Sequence, residues 1–110
     1  MSNAKRAVLV TGGFDPIHKG HIEYLREAKK LGDILYVGLN SDHWLTRKKG
    51  KPFMDLENRA MVIQSLDMVD EVIIFNDEDN SSCHAIHQTL QSYDEVIFAN
   101  GGDRLSLIHI

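Results

Sequence analysis

Between Thr11 and His21 the chain reads Thr11-Gly12-Gly13-Phe14-Asp15-Pro16-Ile17-His18-Lys19-Gly20-His21, residue types that suit the handling of a phosphate group. Gly12 and Gly13 let backbone approach a ligand closely, Pro16 stiffens the loop, and Gly20 removes the side chain between two imidazoles three residues apart. Both imidazoles can then face one phosphate. A pair of histidine N–H donors beside a helix N-terminus matches the charge that develops when phosphorus is attacked in line, because donors fixed in advance stabilise the transition state without reorganising. Two blander accounts stand beside this one. A turn rich in glycine and histidine can pack without binding anything. A zinc site would need Cys83, His84 or His87 to complete tetrahedral coordination, but these lie two elements away, where Cys83 and His87 share a helical period with Ile86 and Leu90 and read as core.

The flanking elements decide where such a loop sits. Ala7 to Val10 is a short apolar, β-branched run, a buried strand feeding the glycine turn. From His21 to Leu31, Tyr24, Leu25, Ala28 and Leu31 fall at helical spacing, with Glu23, Arg26, Glu27, Lys29 and Lys30 opposite and Gly32 as the stop. Ile34 to Leu39 is a continuous apolar run of the kind covered on both faces, ended by the cap-forming Asn40-Ser41-Asp42 and a short helical turn through Trp44. Arg47-Lys48-Lys49-Gly50-Lys51-Pro52 reads as a mobile basic loop. Asp55 caps a helix over Leu56 to Met68, with Val62, Ile63, Leu66 and Val69 as its buried stripe. A third strand spans Glu71 to Phe75, an acidic turn Asn76 to Asn80, a helix carries Cys83 to Leu90, and a fourth strand spans Glu95 to Ala99. Strands alternating with helices predict an α/β fold whose parallel sheet is linked by right-handed crossovers. In such sheets ligands bind at the carboxyl ends of the strands, where free N–H groups of a helix N-terminus favour an anion.

Composition narrows the classes further. At 110 residues, 43% hydrophobic and 25% charged, the chain has the balance of one globular domain. A net charge of −4 gives no global attraction to nucleic acid or to an anionic membrane. One cysteine allows no internal disulfide, no leader precedes the first strand, and no apolar run reaches the length of a membrane span, so a cytoplasmic location is expected.

Gly12 to His21 closely resembles the His-x-Gly-His loop of the cytidylyltransferase-like nucleotidyltransferases, and the stretch from Ala7 to about Arg104 fits that family. Ala28 to Asp33, Asn40-Ser41-Asp42, the basic loop, Glu57-Asn58-Arg59 and Val69 to Val72 look like the subgroup of glycerol-3-phosphate cytidylyltransferase and the heptose-phosphate adenylyltransferases. The resemblance implies a Rossmann-like, doubly wound parallel sheet. It also implies transfer of CMP or AMP from CTP or ATP to a small phosphate monoester, a polyol phosphate or sugar 1-phosphate, with release of pyrophosphate and Mg2+ bound with the triphosphate. His18 and His21 would then bind the triphosphate and stabilise the transition state. Phe14 and Asp15, with Gly12, Gly13 and Gly20, would shape the nucleotide pocket, and Asp103 would lie near the nucleotide at the end of the fourth strand. A lysine among Lys48, Lys49 and Lys51 would approach the phosphates; Lys48 and Lys51 are carried as the catalytic candidates. Arg59 would meet the acceptor's phosphate. Gly13 stands where many relatives have threonine, which removes one side-chain phosphate contact. Relatives are often dimers, so a homodimer is an assembly the resemblance leaves open. Phe14 to His21 also resembles nicotinate-mononucleotide-type adenylyltransferases, although Lys48 to Val72 does not. A nucleotide-binding module without turnover is the reading from a different class.

Family members continue past the fourth strand with another strand and a Ser/Thr-rich second signature at a helix N-terminus, which nothing here matches. Residues 1–104 are therefore read as the N-terminal part of a nucleotidyltransferase domain whose sheet is incomplete at its C-terminus. Leu105-Ser106-Leu107-Ile108-His109-Ile110 reads as a non-native tail without a strand partner, since its back-translation CTG TCT CTT ATA CAC ATC matches a transposon-derived sequencing adapter. On that reading the 110-residue chain alone is inactive or nearly so.

Overall fold

The apolar run after Arg6 becomes the centre of the sheet. In the computed structural model, which describes residues 6–79, 83–91, 93, 95–100 and 106–109 (Asn100 and 106–109 by backbone alone), β1 (Arg6–Gly12) buries Ala7, Val8, Leu9 and Val10 completely. β2 (Ile34–Leu39) pairs parallel along one side of β1, with Val8 opposite Leu35 and Val10 opposite Val37. β4 (Glu95–Asn100) pairs parallel along the other side, and β3 (Glu71–Ile74) lies parallel outside β2. Successive side chains on β1 point to opposite faces. Val8 and Val10 pack with Leu25 and Ala28 of α1 (Lys19–Lys29) and Ile63 of α3 (Leu56–Gln64). Ala7 and Leu9 pack with Val96, Phe98 and Ala85 of α4 (Cys83–Leu90). Helices therefore cover both faces of a four-stranded parallel sheet, the doubly wound Rossmann-like arrangement expected. The strand order β3-β2-β1-β4 reverses between β1 and β4, which makes that gap the topological switch point.

Several local expectations need correction. β5 (Ser106–His109) runs antiparallel to β4, with Asn100 opposite Ser106 and Ile97 opposite His109, so this segment does have a strand partner. Residues 101–105 are too few for a crossover, and a chain returning over so short a connection can pair only antiparallel. α1 starts two residues before His21, because His18 itself caps it. The first half of the basic run is helical: α2 (Asp42–Lys49) continues through Arg47, Lys48 and Lys49, whose charges complement the negative end of the helix dipole, and Gly50 ends it, leaving Lys51 and Pro52 in the loop expected. α3 stops at Gln64, with Val62 turned outward at 36% exposure. On α4 the face toward the sheet carries Ala85 and Thr89, whose small side chains allow close approach, whereas Cys83 and His87 are exposed. The buried face lies two residues along from Cys83 and His87, on the opposite side of the helix.

Two of the motifs shared with the subgroup close the N-terminal end of the sheet, away from the glycine loop. Asp33 accepts from the Arg6 N–H through its carboxylate and donates its own N–H to the Arg6 carbonyl. Asp70 accepts from the Leu35 N–H at 2.8 Å and pairs with Lys29, which also reaches the Asp33 carbonyl. Among the described residues no helix is long and apolar enough to cross a membrane.

Candidate active site

His18 and His21 are fixed by each other's backbone. His18 is the N-cap of α1: its Nδ1 accepts from the Gly20 N–H at 3.0 Å, while its own N–H donates to Nδ1 of His21 at 3.2 Å. This is a capping box built from two histidines, with rings stacked at 4.0 Å between centroids. A nitrogen that accepts carries no proton, so each neutral ring holds its proton on Nε2, the nitrogen left for a ligand. Gly20 is required here, since a Cβ would lie 2.9 Å from Cε1 of His18. The expected supply of free helix N–H groups is mostly committed: His21 and Ile22 also donate to the His18 carbonyl. Burial, reinforced by the adjacent His18 imidazole, lowers the His21 pKa from its usual 6.5 and favours the neutral donor. The Phe14 ring meets His21 edge-on at 5.0 Å and is itself held at a positive φ of 50°, a strained backbone position of the kind that collects at functional loops.

Asp15 works as an anchor inside this loop. Its side chain is 1% exposed and accepts from the N–H groups of Phe53 and Met54 at 2.7 and 2.6 Å. Lys49 Nζ bonds both its carboxylate, at 2.8 Å, and its carbonyl, at 2.6 Å. Burial alone would raise the Asp15 pKa, but the bonds from Lys49, Phe53 and Met54 outweigh it and the net shift is downward. The segment after α2 is thereby tied across the glycine loop.

Arg59, which the resemblance assigns to the acceptor's phosphate, is instead bound within the protein. It is 1% exposed, and its guanidinium donates to the carbonyls of Met54, Gly13 and Asn40 and to Oδ1 of Asp42 at 2.7 Å. Four of its five N–H groups are used within the protein, so it pins the glycine loop, the end of β2 and the start of α2 to one another. Asp77, in the turn that reads simply as acidic, is 3% exposed and accepts from Asn40 Nδ2, the Ser41 N–H and Ser41 Oγ. Burial pushes its pKa up, but these bonds dominate and lower it. Ser41 Oγ in turn accepts from the Trp44 N–H and caps α2.

Gly13, Phe14, Asp15, Pro16, His18, His21, Trp44, Leu45, Lys48 and Lys49 line one cavity of about 560 Å³ at the carboxyl end of β1. Lys51, Gly12, Gly20 and Arg59 are not among its walls, and Asp103 lies outside the described residues. Leu45 fills the space a side chain at position 13 would use: a Cβ there would meet its Cδ2 at 2.8 Å. Sequence reasoning gives no site role to Trp44 or Asp77 and carries Lys51 beside Lys48, whereas the cavity wall holds Lys48 and Lys49. Spacing on α2 could have found Trp44 and Lys48, four residues apart, had the helix been recognised as continuing. Asp15 is the cavity's one carboxylate and its oxygens are already engaged, so the described walls offer no protein-built metal cage.

A family model described as Cytidylyltransferase-like matches residues 9–108. Several curated relatives carry the name Bifunctional protein HldE. That of Wolinella succinogenes is 36% identical over 104 residues, 93% of this chain and 21% of that protein. That of Helicobacter pylori strain G27 is 42% identical over 106 residues, 94% of this chain and 22% of that protein. The chain therefore spans about a fifth of the length of the curated relatives it matches. Among solved structures, the lipopolysaccharide core biosynthesis protein from Thermoplasma volcanium GSS1 is similar with a TM-score of 0.67 and 34% identity, over 81% of this chain and 68% of that one.

Proposed function

The chain belongs to the cytidylyltransferase-like family, and on that premise we propose that it transfers a nucleotidyl group from ATP or CTP to a sugar phosphate and releases pyrophosphate. The motifs resemble a subgroup that holds both cytidylyltransferases and heptose-phosphate adenylyltransferases, and the similarity to proteins named Bifunctional protein HldE favours the second and with it ATP as donor. The similar fold of a lipopolysaccharide core biosynthesis protein favours a sugar among phosphorylated acceptors. One observation carries the reading: two Nε2 donors, with the same tautomer set by backbone bonds, line a cavity shared with Lys48 and Lys49.

In the reaction an oxygen of the acceptor phosphate attacks the α-phosphorus. The new O–P bond forms as the bridging bond to the β-phosphate breaks, and pyrophosphate leaves with that electron pair. His18 and His21 donate from Nε2 to the oxygens where negative charge accumulates, and their mutual capping leaves little reorganisation to be done. Lys48 offsets the charge of the entering acceptor phosphate, while Lys49, bonded to Asp15, holds the loop that frames the cavity. Magnesium would arrive with the triphosphate and would shield its charge, since the one carboxylate of the cavity is already engaged.

The test is pyrophosphate release from ATP and from CTP, with a panel of sugar phosphates, polyol phosphates and their unphosphorylated forms. It is run on the 110-residue chain. Release that depends on a sugar phosphate is expected. Turnover with unphosphorylated polyols alone, or stabilisation by nucleotide with no acceptor-dependent release, would overturn the proposal.

A further inference from the structure

We propose that Trp44 is the platform for the acceptor's sugar ring and selects cyclic sugar phosphates over open-chain ones, an inference that rests on the nucleotidyl-transfer reading above. Trp44 lies in the first turn of α2, with its N–H bonded to Ser41 Oγ at 3.0 Å and Ser41 held by the buried Asp77. Its backbone is thus fixed while its half-buried indole lines the cavity with both histidines. One turn further on, Lys48 Nζ stands 5.0 Å from the centre of the ring.

Position decides which substrate meets this indole. The nucleotide crevice of a doubly wound sheet opens at the switch point, here between β1 and β4. α2 follows β2, on the other side of β1, so a ligand reaching the histidines past Trp44 comes from the side opposite the nucleotide.

Chemistry decides the class. The face of an indole attracts a cation, and the contact with an exposed ammonium is weak enough for a phosphate to draw Lys48 away. The uncovered π face then suits the C–H groups of a pyranose or furanose ring, whose hydroxyls stay at the rim. A cyclic sugar phosphate supplies the anion for Lys48 and the rigid apolar face for Trp44 together. An open-chain polyol phosphate supplies only the anion.

Trp44 is the chain's one tryptophan, so its emission reports this site alone. The protein is titrated with hexose and heptose 1-phosphates, glycerol 3-phosphate, inorganic phosphate, ATP and CTP. A saturable emission change is expected with a cyclic sugar phosphate, at about tenfold lower concentration than with glycerol 3-phosphate, and no change with ATP or CTP alone. In turnover assays, Trp44→Ala should raise the acceptor KM by about tenfold and leave the nucleotide KM within about twofold, and Trp44→Phe should restore most of the loss. A response to nucleotide alone, or an unchanged acceptor KM in an active Trp44→Ala protein, overturns the platform and leaves nucleotidyl transfer standing. Saturable emission changes with sugar phosphates, but no pyrophosphate release with any acceptor, would keep the platform and remove the transfer reading.

Discussion

Lys29 and Lys49 each end a helix, and each pairs with an aspartate that also accepts backbone N–H groups. Lys29 joins Asp70, which holds the Leu35 N–H, at the N-terminal end of the sheet. Lys49 joins Asp15, which holds the N–H groups of Phe53 and Met54, at the carboxyl end. Locally the two devices are alike, and both fasten one loop to another. Their surroundings differ. The first is set among other internal matches, Arg6 with Glu95 at 2.9 Å and Arg6 with Asp33. The second opens on a cavity into which two imidazoles and Lys48 are also gathered. A lysine–aspartate pair is therefore not by itself a sign of chemistry; two imidazoles and a lysine gathered around one cavity are a stronger one.

The sharpest way to break the comparison is at His18, which is both a cap and a candidate donor. His18→Asn keeps a capping acceptor and removes the Nε2 proton, so turnover should fall about a hundredfold or more, equivalent to about 3 to 4 kcal/mol, with Tm nearly unchanged. His18→Ala should lose the same rate and a further 1 kcal/mol or so of stability. Pyrophosphate release measured beside a melting curve separates the two, and wild-type rates in both variants would make the pair a purely structural cap. Next is Arg59→Met, which leaves Asp42 and three carbonyls without their donor and should cost about 3 kcal/mol in urea unfolding. Retained stability with a raised acceptor KM would return Arg59 to the acceptor. Asp70→Asn should cost about 1 to 2 kcal/mol and leave kcat/KM per folded molecule unchanged, the mark of a latch remote from the site.

Acid titration gives smaller effects, with opposite origins. Asp15 and Asp77 have lowered folded pKa values, so the stability they supply is complete above the unfolded carboxylate value near 3.8 and is lost as pH falls through the folded values. His21 is a base with a lowered folded pKa. The unfolded chain takes its proton first, so stability declines as pH falls from about 6.5 to the folded value and then levels. Urea midpoints across pH should show both phases, and His21→Gln should remove only the one nearer neutrality. Last, Cys83→Ser on the exposed start of α4 should change stability by less than about 0.5 kcal/mol.

Where burial follows from local apolar runs, the fold was readable: β1, β2 and β4 fall where Ala7–Val10, Ile34–Leu39 and Glu95–Ala99 place them. The glycine loop and its two histidines were readable as well, because their spacing is itself the signal. Misplaced features had non-local or unusual causes. Histidine is outside the usual capping set, so the start of α1 was set late. A run of Arg and Lys before Gly and Pro looks like a loop, although in the last turn of a helix the same charges are stabilising. The burial of Arg59 is not legible locally, because the groups that bind it, Gly13, Asn40 and Asp42, are 46, 19 and 17 residues away. Asp77 was hidden likewise, its partners lying 36 and 37 residues upstream.

The anchored Asp15 also bears on discrimination among anions. The cavity counts two lysines, but one of them already faces a buried carboxylate held by two further N–H groups, so the fixed charge open to a visitor is that of Lys48 alone. A small ion such as sulfate or inorganic phosphate finds little net field to hold it and must compete with Asp15 for Lys49. A larger molecule that meets the imidazoles, Lys48 and an apolar wall together gains from several contacts and need not rely on charge. The arrangement therefore favours molecules that make several contacts over simple anions that rely on charge.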